Sequence, residues 1–525
     1  MTGEKQTPYD EVAYPGVAHD QTHPDRLATI AALFGMRPAP VRRCRVLELG
    51  CGDGVNLISM AHTLPESEFV GMDLAAGPIG EGVRMIADLG LKNIRLENAD
   101  LMEFRVSGEP FDYIIAHGLY SWVPEPVRDR LLAICEESLA PNGVAYVSYN
   151  AYPGCHVRDM TRRMMLYHVR DIAGPREKIT QARSLLKFLS TSKGEKDIYR
   201  TILEEEYERA TERRDDSLYH DDLSPVNQPF YLWEFLDHAS KRNLQFVGEA
   251  VFGTMHPKGY TPDALRVLQE MEDDLVTREQ YLDFLMCRRF RSTLLCRRDV
   301  PLPRKVQPSA ISDLYASFDG EAVSQAPDVL STDAEEFRTR QGASIRTNRP
   351  VLKAALSLMS RCWPRAFHFD ELLAASPKMS RAESAGDGGP NEDVTAFRDL
   401  LLGGYAAGML ELHSWAPPLV IEISERPIAS PLARYQSSRA KPLTTLLHTS
   451  LTLADSLSRY LIGLLDGTRD FSALADALVA RIESGKASVS IDGKPIADPE
   501  LIRANIEKEL RITLQGFARS ALLVG

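Results

Sequence analysis

The stretch Val46-Leu-Glu-Leu-Gly-Cys-Gly-Asp-Gly-Val-Asn56 decides the fold. Apolar Val46, Leu47 and Leu49 around Glu48 read as a strand, which Gly50, Gly52 and Gly54 break before a helix opens. Glycine at such a turn tolerates left-handed dihedrals and has no Cβ, so a ligand can lie against bare backbone. Asp73, nineteen residues past Gly54, closes a second apolar strand, Phe69-Val-Gly-Met72. A carboxylate at that place can accept both hydroxyls of a ribose. The pattern is nucleoside-binding.

Around this pair the chain alternates short apolar runs with helical segments. The runs are Arg45–Leu49, Phe69–Met72, Ile94–Leu96, Tyr113–Ala116 and Val144–Tyr149; the segments are Val55–His62, Pro78–Leu89 and Pro126–Leu139. Alternation of this kind predicts a parallel sheet covered on both faces, with ligands at the carboxyl ends of the strands, where the glycines fall. The turn signal Pro141-Asn-Gly143 precedes the fifth strand. Ahead of the sheet, a lead-in with Tyr14, His19 and His23 runs into an amphipathic helix, Arg26–Phe34, and reads either as a lid whose aromatic groups close over the ligand or as part of an N-terminal helix docked on the sheet edge.

Downstream the composition changes. From Asp159 to Asp216 it is long-helical and heavily charged, which reads as a solvated insertion or dimer-forming arm. Tyr281–Leu295 reads as helix, and its Arg288, Arg289 and Arg291 as part of a solvated basic face. The Pro-, Ser- and Asp-rich stretch to about Ala343 reads as linker. Beyond it, helices at Arg349–Ser360, Phe369–Ala375 and Thr395–Gly408, then short strands at Met409–His413 and Leu419–Ile423, follow winged-helix order, interrupted by a polar loop at Ala382–Glu392. The expected units are residues 1–160 (sheet domain), 161–217 (helical insertion), 218–300, 301–343 (linker) and 344–525.

The chain has 525 residues, enough for several cores, and no apolar run long enough to cross a membrane. The N-terminus lacks the apolar core of a signal peptide. Seven scattered cysteines without C-x-x-C pairs read as reduced thiols of a cytoplasmic protein and support no metal site. A net charge of -12 argues against nucleic acid as partner. The candidate recognition helix Thr395–Gly408 agrees, having Arg398 as its one basic residue.

Glycines two apart differ from the G-x-G-x-x-G of dinucleotide sites, and no G-x-x-x-x-G-K-[ST] is present. The E-x-G-x-G-x-G spacing with a later strand-end acid resembles motifs I and II of class I S-adenosylmethionine-dependent methyltransferases, and Asn98-Ala-Asp100 supplies the third strand end. On this resemblance Glu48 receives the cofactor's ammonium and Asp73 its ribose. Asp100 receives the adenine amine, with Leu101 donating its backbone N–H. The expected cofactor-binding set is Tyr14, Glu48, Gly50, Cys51, Gly52, Gly54, Asn56, Asp73, Leu74, Asp100, Leu101 and His117.

The fourth strand ends in Ala116-His-Gly-Leu-Tyr-Ser-Trp-Val-Pro124, where the methyl acceptor should sit. It carries neither the Asn/Asp-Pro-Pro-aromatic motif of DNA and glutamine amide methyltransferases nor the Pro-Cys of cytosine C5 enzymes. His117, Tyr120 and Trp122 are the expected catalytic residues, lining an aromatic channel. Such a channel suits an amine, because an amine reacts only when neutral and desolvation lowers its pKa from about 10.4 for lysine.

The whole chain resembles the rickettsial-type protein lysine methyltransferases that modify an outer-membrane surface protein. The likeness rests on Tyr14-Pro-Gly-Val-Ala-His-Asp-Gln-Thr-His-Pro24, on Val226-Asn-Gln-Pro-Phe-Tyr231 with Tyr281–Cys296 (similar to a methyltransferase regulatory domain), and on the C-terminal part, similar to that family's winged-helix domain. The resemblance implies an α/β, Rossmann-like class I methyltransferase core with a helical insertion and a C-terminal winged-helix-like domain. It also implies S-adenosyl-L-methionine as cofactor, lysine side chains of a surface or outer-membrane protein as acceptor, and a homodimer. A small-molecule N- or O-methyltransferase and a cofactor-sensing scaffold protein without catalysis are the alternatives.

Overall fold

A computed structural model describes residues 16–525 except 106–107, 193, 196, 376–391, 440–441, 454, 492–493 and 496–497, so Tyr14 and nearly all of the polar 382–392 loop lie outside the described residues. The apolar runs of the first half become one seven-stranded sheet: β1 (Arg45–Leu49), β2 (Glu68–Asp73), β3 (Ile94–Asn98), β4 (Phe111–Ala116), β5 (Leu139–Asn150), β6 (Leu244–Glu249) and β7 (Phe290–Arg297). Their spatial order is β3-β2-β1-β4-β5-β7-β6, and β7 runs antiparallel to both neighbours. β1 pairs in parallel with β2 on one side and β4 on the other, so the glycine turn after Leu49 leaves the sheet between two strand ends, at the point where strand order reverses. That is where ligands bind in open parallel sheets. Pro141-Asn-Gly143 is not a separate turn; it lies within β5, whose pairing with β4 shifts register beside it.

Strand β1 has Val46 to Leu49 buried, as expected of a strand covered on both faces. One core holds α1 (Pro24–Leu33), through Leu27, Ile30 and Leu33, against Val46, Ile115 and Tyr146 of the sheet. The opposite face packs Leu47, Leu49, Ile114 and Tyr149 against Leu131, Leu132 and Cys135 of α4 (Glu125–Ser138) and Phe235 of a later helix. Between these lie α2 (Val55–Thr63) after the glycine turn and α3 (Ala76–Leu89) after Asp73.

The charged segment forms α5 (Cys155–His168), α6 (Pro175–Thr191) and α7 (Ile198–Glu212), with a small core of Met165, Ile179, Ala182, Leu186 and Ala210. The chain returns through a π-helical turn, Leu218–Asp222, to α8 (Leu232–Ser240) and β6, then through α9 (Pro262–Gln269) and α10 (Leu275–Met286) to β7. Only the first part of the expected Tyr281–Leu295 helix is helical. The rest, Phe290 onward, is an interior strand, because Phe290 to Leu295 pair with β5 and Thr293 to Arg297 with β6. Arg291 and Arg288 are not on a solvated face either. Arg291 is fully buried, bridging both oxygens of Asp283 at 2.8 and 2.9 Å and reaching Glu279 at 3.3 Å, and it also pairs with Glu249. Three buried carboxylates from β6 and α10 require a buried cation among them.

The stretch expected to be a linker is folded. β8 (Tyr315–Ser317), β9 (Gly320–Ala322) and β10 (Glu335–Thr339) fall within it, and Phe318 and Phe337 are buried in the same core as α1. Its polar loop has a structural task. Lys353, buried in α11 (Pro350–Cys362), donates from Nζ to the carbonyls of Ser331 at 2.9 Å and Asp333 at 3.0 Å. The strands are too short to show a period, which is why composition suggested a linker.

Residues 344–525 are also not one unit. β11 (Ser344–Thr347), α11, β12 (Phe367–His368), α12 (Phe369–Ala374), α13 (Glu392–Ala406) and β13 (Glu411–His413) stay with the first core, β12 and β13 flanking β8. Leu419–Ile423 forms no strand. A separate core begins at Ala429 and ends at Leu523. It comprises α14 (Pro431–Ser437), the hairpin β14 (Leu443–Thr444) and β15 (Ser450–Leu451), α15 (Ser456–Leu464), α16 (Phe471–Glu483), the strand pair β16 (Ser490–Ile491) and β17 (Lys494–Pro495), and α17 (Pro499–Arg519).

Candidate functional site

A cavity of about 270 Å³ lies over the carboxyl ends of β1, β2 and β4, and the glycine turn forms its floor. Gly50, Gly52 and Gly54 all take positive φ, at 77°, 57° and 71°. The turn is held from behind: the N–H groups of Gly50 and Cys51 both donate to Met72 O, at 2.9 and 3.1 Å. A Cβ at Gly52 would meet nothing within 4 Å, so the glycine presents bare backbone to open space. Gly54 serves differently, as the left-handed cap of α2 packed on Leu96, and it does not line the cavity.

Glu48 is the chemically informative residue. It is buried at the end of β1, its Oε1 accepting from Asn56 Nδ2 at 2.9 Å while Oε2 has no hydrogen-bond partner. Burial, reinforced by the negative charges of Asp73 and Asp53, pushes its carboxyl up to about 8. A buried carboxylate oxygen left without a donor, facing a cavity, is complementary to an ammonium group. Asp73 accepts from the N–H of Gly52 at 2.9 Å and of Ala75 at 2.8 Å. Asp73 also lines the cavity, and a carboxylate at this strand end is the group that can accept ribose hydroxyls. These features fit a nucleoside carrying an amino-acid tail.

The other expected cofactor residues divide. Cys51 and Asn56 line the cavity; Leu74, Asp100 and Leu101 do not. Asp100 lies just past β3, where its Oδ1 accepts from Met102 N–H at 3.0 Å, and Leu74 is about half exposed.

At the acceptor end, His117 and Trp122 line the cavity with Leu119 and Phe290. His117 Nδ1 meets Tyr146 Oη at 3.0 Å, and Tyr146 donates on to Ser292 Oγ at 3.1 Å, which leaves Nε2 with its lone pair. Burial, then the His19 ring at 3.9 Å, hold His117 well below the ordinary imidazole range, so the ring is neutral. Tyr120 is not at this site. Its ring is 1% exposed, packed edge-on against Phe235 and Phe230, with Oη 2.7 Å from His238 Nδ1. The 3-10 turn Tyr120–Trp122 puts neighbouring side chains in different directions, and the phenol faces the sheet's second core.

Several lining residues lie beyond the motifs. Gly16 and His19 of the lead-in cross the glycine turn: Gly16 N–H donates to Asp53 Oδ2 at 3.2 Å and His19 N–H to Asn56 Oδ1 at 3.0 Å. His19 is held down to about 4 by burial. His220 and Asp221, from the π-helical turn, close the opposite wall, and burial pushes the Asp221 carboxyl up to about 6. Phe290 begins β7, next to the buried Arg291. His19 was legible from the Tyr14–His23 aromatic lead-in; Asp221 and Phe290 had no local signal, since a long insertion and an antiparallel strand inserted between β5 and β6 bring them here.

Comparison with known proteins agrees with this geometry. Residues 46–143 match the family described as "Methyltransferase domain", 214–297 "Predicted methyltransferase regulatory domain", and 425–522 "PKMT, C-terminal winged helix domain". The last range excludes Thr395–Gly408 as the winged helix. The uncharacterized protein RP789 of Rickettsia prowazekii is 32% identical over 98% of this chain and 94% of its own length. The structure of PKMT2 from Rickettsia typhi in complex with AdoHcy superposes with a TM-score of 0.87 at 28% identity, over 98% of this chain and all of the other. With a relative matched end to end and all three family regions in order, this chain belongs to the PKMT family of S-adenosylmethionine-dependent methyltransferases.

Proposed function

We propose that the chain methylates lysine side chains of a protein. The observation that carries this is the pairing of an ammonium-seeking Glu48 with a neutral, aromatic acceptor end, His117, Trp122 and Phe290, in one cavity. The likeness to PKMT2 of Rickettsia typhi supports it. Glu48, the backbone at Gly50 and Gly52, and Asp73 would hold the cofactor, whose adenine would have to extend beyond the cavity to reach Asp100 and Leu101 past β3. When bound, S-adenosylmethionine would supply a sulfonium-activated methyl group, to which an amine nitrogen bonds as the C–S bond breaks and S-adenosylhomocysteine leaves with the electron pair.

The chain's own residues have the task of presenting that lone pair. Trp122, Leu119 and Phe290 exclude water from an incoming lysine stem, which favours the neutral amine. The faces of the two aromatic rings stabilise the cationic product. His117, unprotonated at Nε2, accepts a hydrogen bond from an amine N–H and so orients the nitrogen. Asp221, ionised above about pH 6, takes the proton that the lysine must lose.

The acceptor class, a surface or outer-membrane protein, and a homodimer belong to the same proposal. Tyr167, Phe188 and Ile198 of the insertion helices are strongly exposed apolar side chains that a second copy would cover. No helix among the described residues is long and apolar enough to cross a membrane. Incubation with labelled S-adenosylmethionine and a panel of surface proteins, followed by mass spectrometry, tests the proposal. Methyl-lysine is the expected product; methylated small metabolites with unmodified protein would replace it with a small-molecule enzyme.

A further inference from the structure

One buried contact joins the C-terminal domain to the floor of the cofactor cavity. His448 lies in the turn between β14 and β15, and its Nε2 is 2.9 Å from Asn56 Oδ1, on the first turn of α2. Its Nδ1 is 3.0 Å from Ser59 Oγ, one turn further on. Both His448 and Asn56 are almost fully buried.

The polarity of this contact is determined by its neighbours. Asn56 Oδ1 must accept, because His19 presents a backbone N–H to it at 3.0 Å. Asn56 Nδ2 must then donate, and it does so to Glu48 Oε1 at 2.9 Å and to Thr22 Oγ1 at 3.0 Å. His448 therefore carries its hydrogen on Nε2 and accepts at Nδ1 from Ser59. That is a neutral ring, as its burial and the neighbouring imidazoles of His23 and His19 also favour. Every hydrogen-bonding group of the Asn56 amide is engaged, so it cannot rotate without breaking bonds to three other segments.

The turn that carries His448 is itself anchored. The His448 backbone is left-handed, φ 57°, a conformation that a non-glycine residue keeps only where its surroundings impose it. Those surroundings are the Thr445 N–H to Thr449 O bond at 2.9 Å, the His448 N–H to Thr445 O bond at 3.0 Å, and Leu446 N–H bonded to Ala521 O at 2.8 Å, after the last helix of the domain.

We propose that His448 is a positioning residue of the cofactor site: docking of the C-terminal domain holds Asn56, and through it Glu48, in the binding conformation, so the domain's position sets cofactor affinity. Oε1 of Glu48 is occupied by Asn56, which leaves Oε2 as the oxygen for the ammonium. Without His448, Asn56 Oδ1 keeps the His19 N–H but loses its tie to the C-terminal domain, and the restraint passed on to Glu48 loosens. A protein substrate that shifts the C-terminal domain would thereby change cofactor affinity, and by linkage the cofactor would tighten the domain by the same factor. This holds whatever the methyl acceptor is.

The test is calorimetric titration of S-adenosylhomocysteine into the full chain and three variants. His448→Asn keeps a residue tolerant of the left-handed backbone but is too short to reach Asn56. His448→Gln restores a donor at similar reach. Trp363→Phe removes a different link to the same domain, Trp363 Nε1 to Arg519 O at 2.9 Å. The expected result is roughly tenfold weaker binding for His448→Asn, which is about 1.4 kcal/mol, with His448→Gln within about threefold and Trp363→Phe within about twofold of the parent. Binding by His448→Asn within twofold of the parent would overturn the proposal, and so would an equal loss in Trp363→Phe. If His448→Asn does not fold, hydrogen exchange of the unaltered chain decides: S-adenosylhomocysteine should slow exchange in 443–451 roughly tenfold, and unchanged exchange there refutes the coupling.

Discussion

Replacing Glu48 by glutamine should make the cofactor-free protein more stable and a poorer binder at once. Burial raises this carboxyl from an ordinary value of 4.5 to about 8. The folded chain therefore holds a proton that the unfolded chain releases. The resulting penalty is absent below pH 4.5, grows through the interval to about pH 8, and is constant above it. At 1.36 kcal/mol per pH unit it reaches about 3 kcal/mol at pH 7.

Glutamine has no such proton to take up, and its Oε1 can still accept from Asn56 Nδ2. Its Nε2 would replace an oxygen that has no partner now, and an unsatisfied buried donor costs about 1 kcal/mol or more. The net gain is about 2 kcal/mol at pH 7, a rise of several degrees in Tm, shrinking to almost nothing near pH 5. The same change removes the carboxylate that meets the cofactor's ammonium; ionising Glu48 at pH 7 costs about 1.4 kcal/mol of the 1.5–3 kcal/mol of a charged hydrogen bond, so S-adenosylhomocysteine binding should weaken by roughly 10-fold. Thermal melts of both proteins at several pH values, with calorimetry at pH 7, check both arms. Parallel Tm curves across that range would refute a buried, proton-holding Glu48, and unchanged affinity would refute its role as the ammonium receptor.

Tyr120→Phe should leave methyl transfer within about twofold while costing about 1 kcal/mol of stability through the lost bond to His238; a large drop in rate with stability intact would return Tyr120 to the acceptor channel. Asp221→Asn should lower the rate by roughly 10- to 100-fold with S-adenosylhomocysteine affinity unchanged. The parent's rate should fall with decreasing pH through about 6, where Asp221 takes up a proton, and the variant's rate should not show that fall. Arg291→Met should cost about 3–5 kcal/mol, because it strands Glu249, Glu279 and Asp283 in the interior; urea unfolding measures it, and a loss under 1 kcal/mol would show that those carboxylates are protonated.

The sheet domain was legible in the sequence because its signals are local. A strand buried on both faces must be continuously apolar, as Val46–Leu49 is apart from Glu48, and the positive φ at Gly50, Gly52 and Gly54 demands residues without a Cβ. Spacing then placed Glu48 and Asp73 at adjacent strand ends, and the methyltransferase resemblance added Asp100 at the third. The same reasoning failed where no local rule operates. Tyr120 and Trp122 are two residues apart in one short turn, and only packing against Phe235 decides that the phenol is core while the indole faces the cavity. The 301–343 stretch looked like linker because three- to five-residue strands show no period and its carbonyls serve Lys353 rather than solvent.

By itself, then, the sequence determined a nucleoside-binding turn, because the glycine spacing, the acid within it and the acid after the second strand are properties of consecutive residues and of the backbone dihedrals they permit; the resemblance of that pattern to class I methyltransferase motifs implied the cofactor. The tertiary structure alone decided what surrounds that cofactor. Asp221 and Phe290 reach the cavity because a helical insertion and an antiparallel strand return to the sheet. His448 reaches Asn56 across 392 positions because the C-terminal domain docks on α2. Contacts of that kind depend on how separately folded cores meet, and no spacing in the chain encodes them.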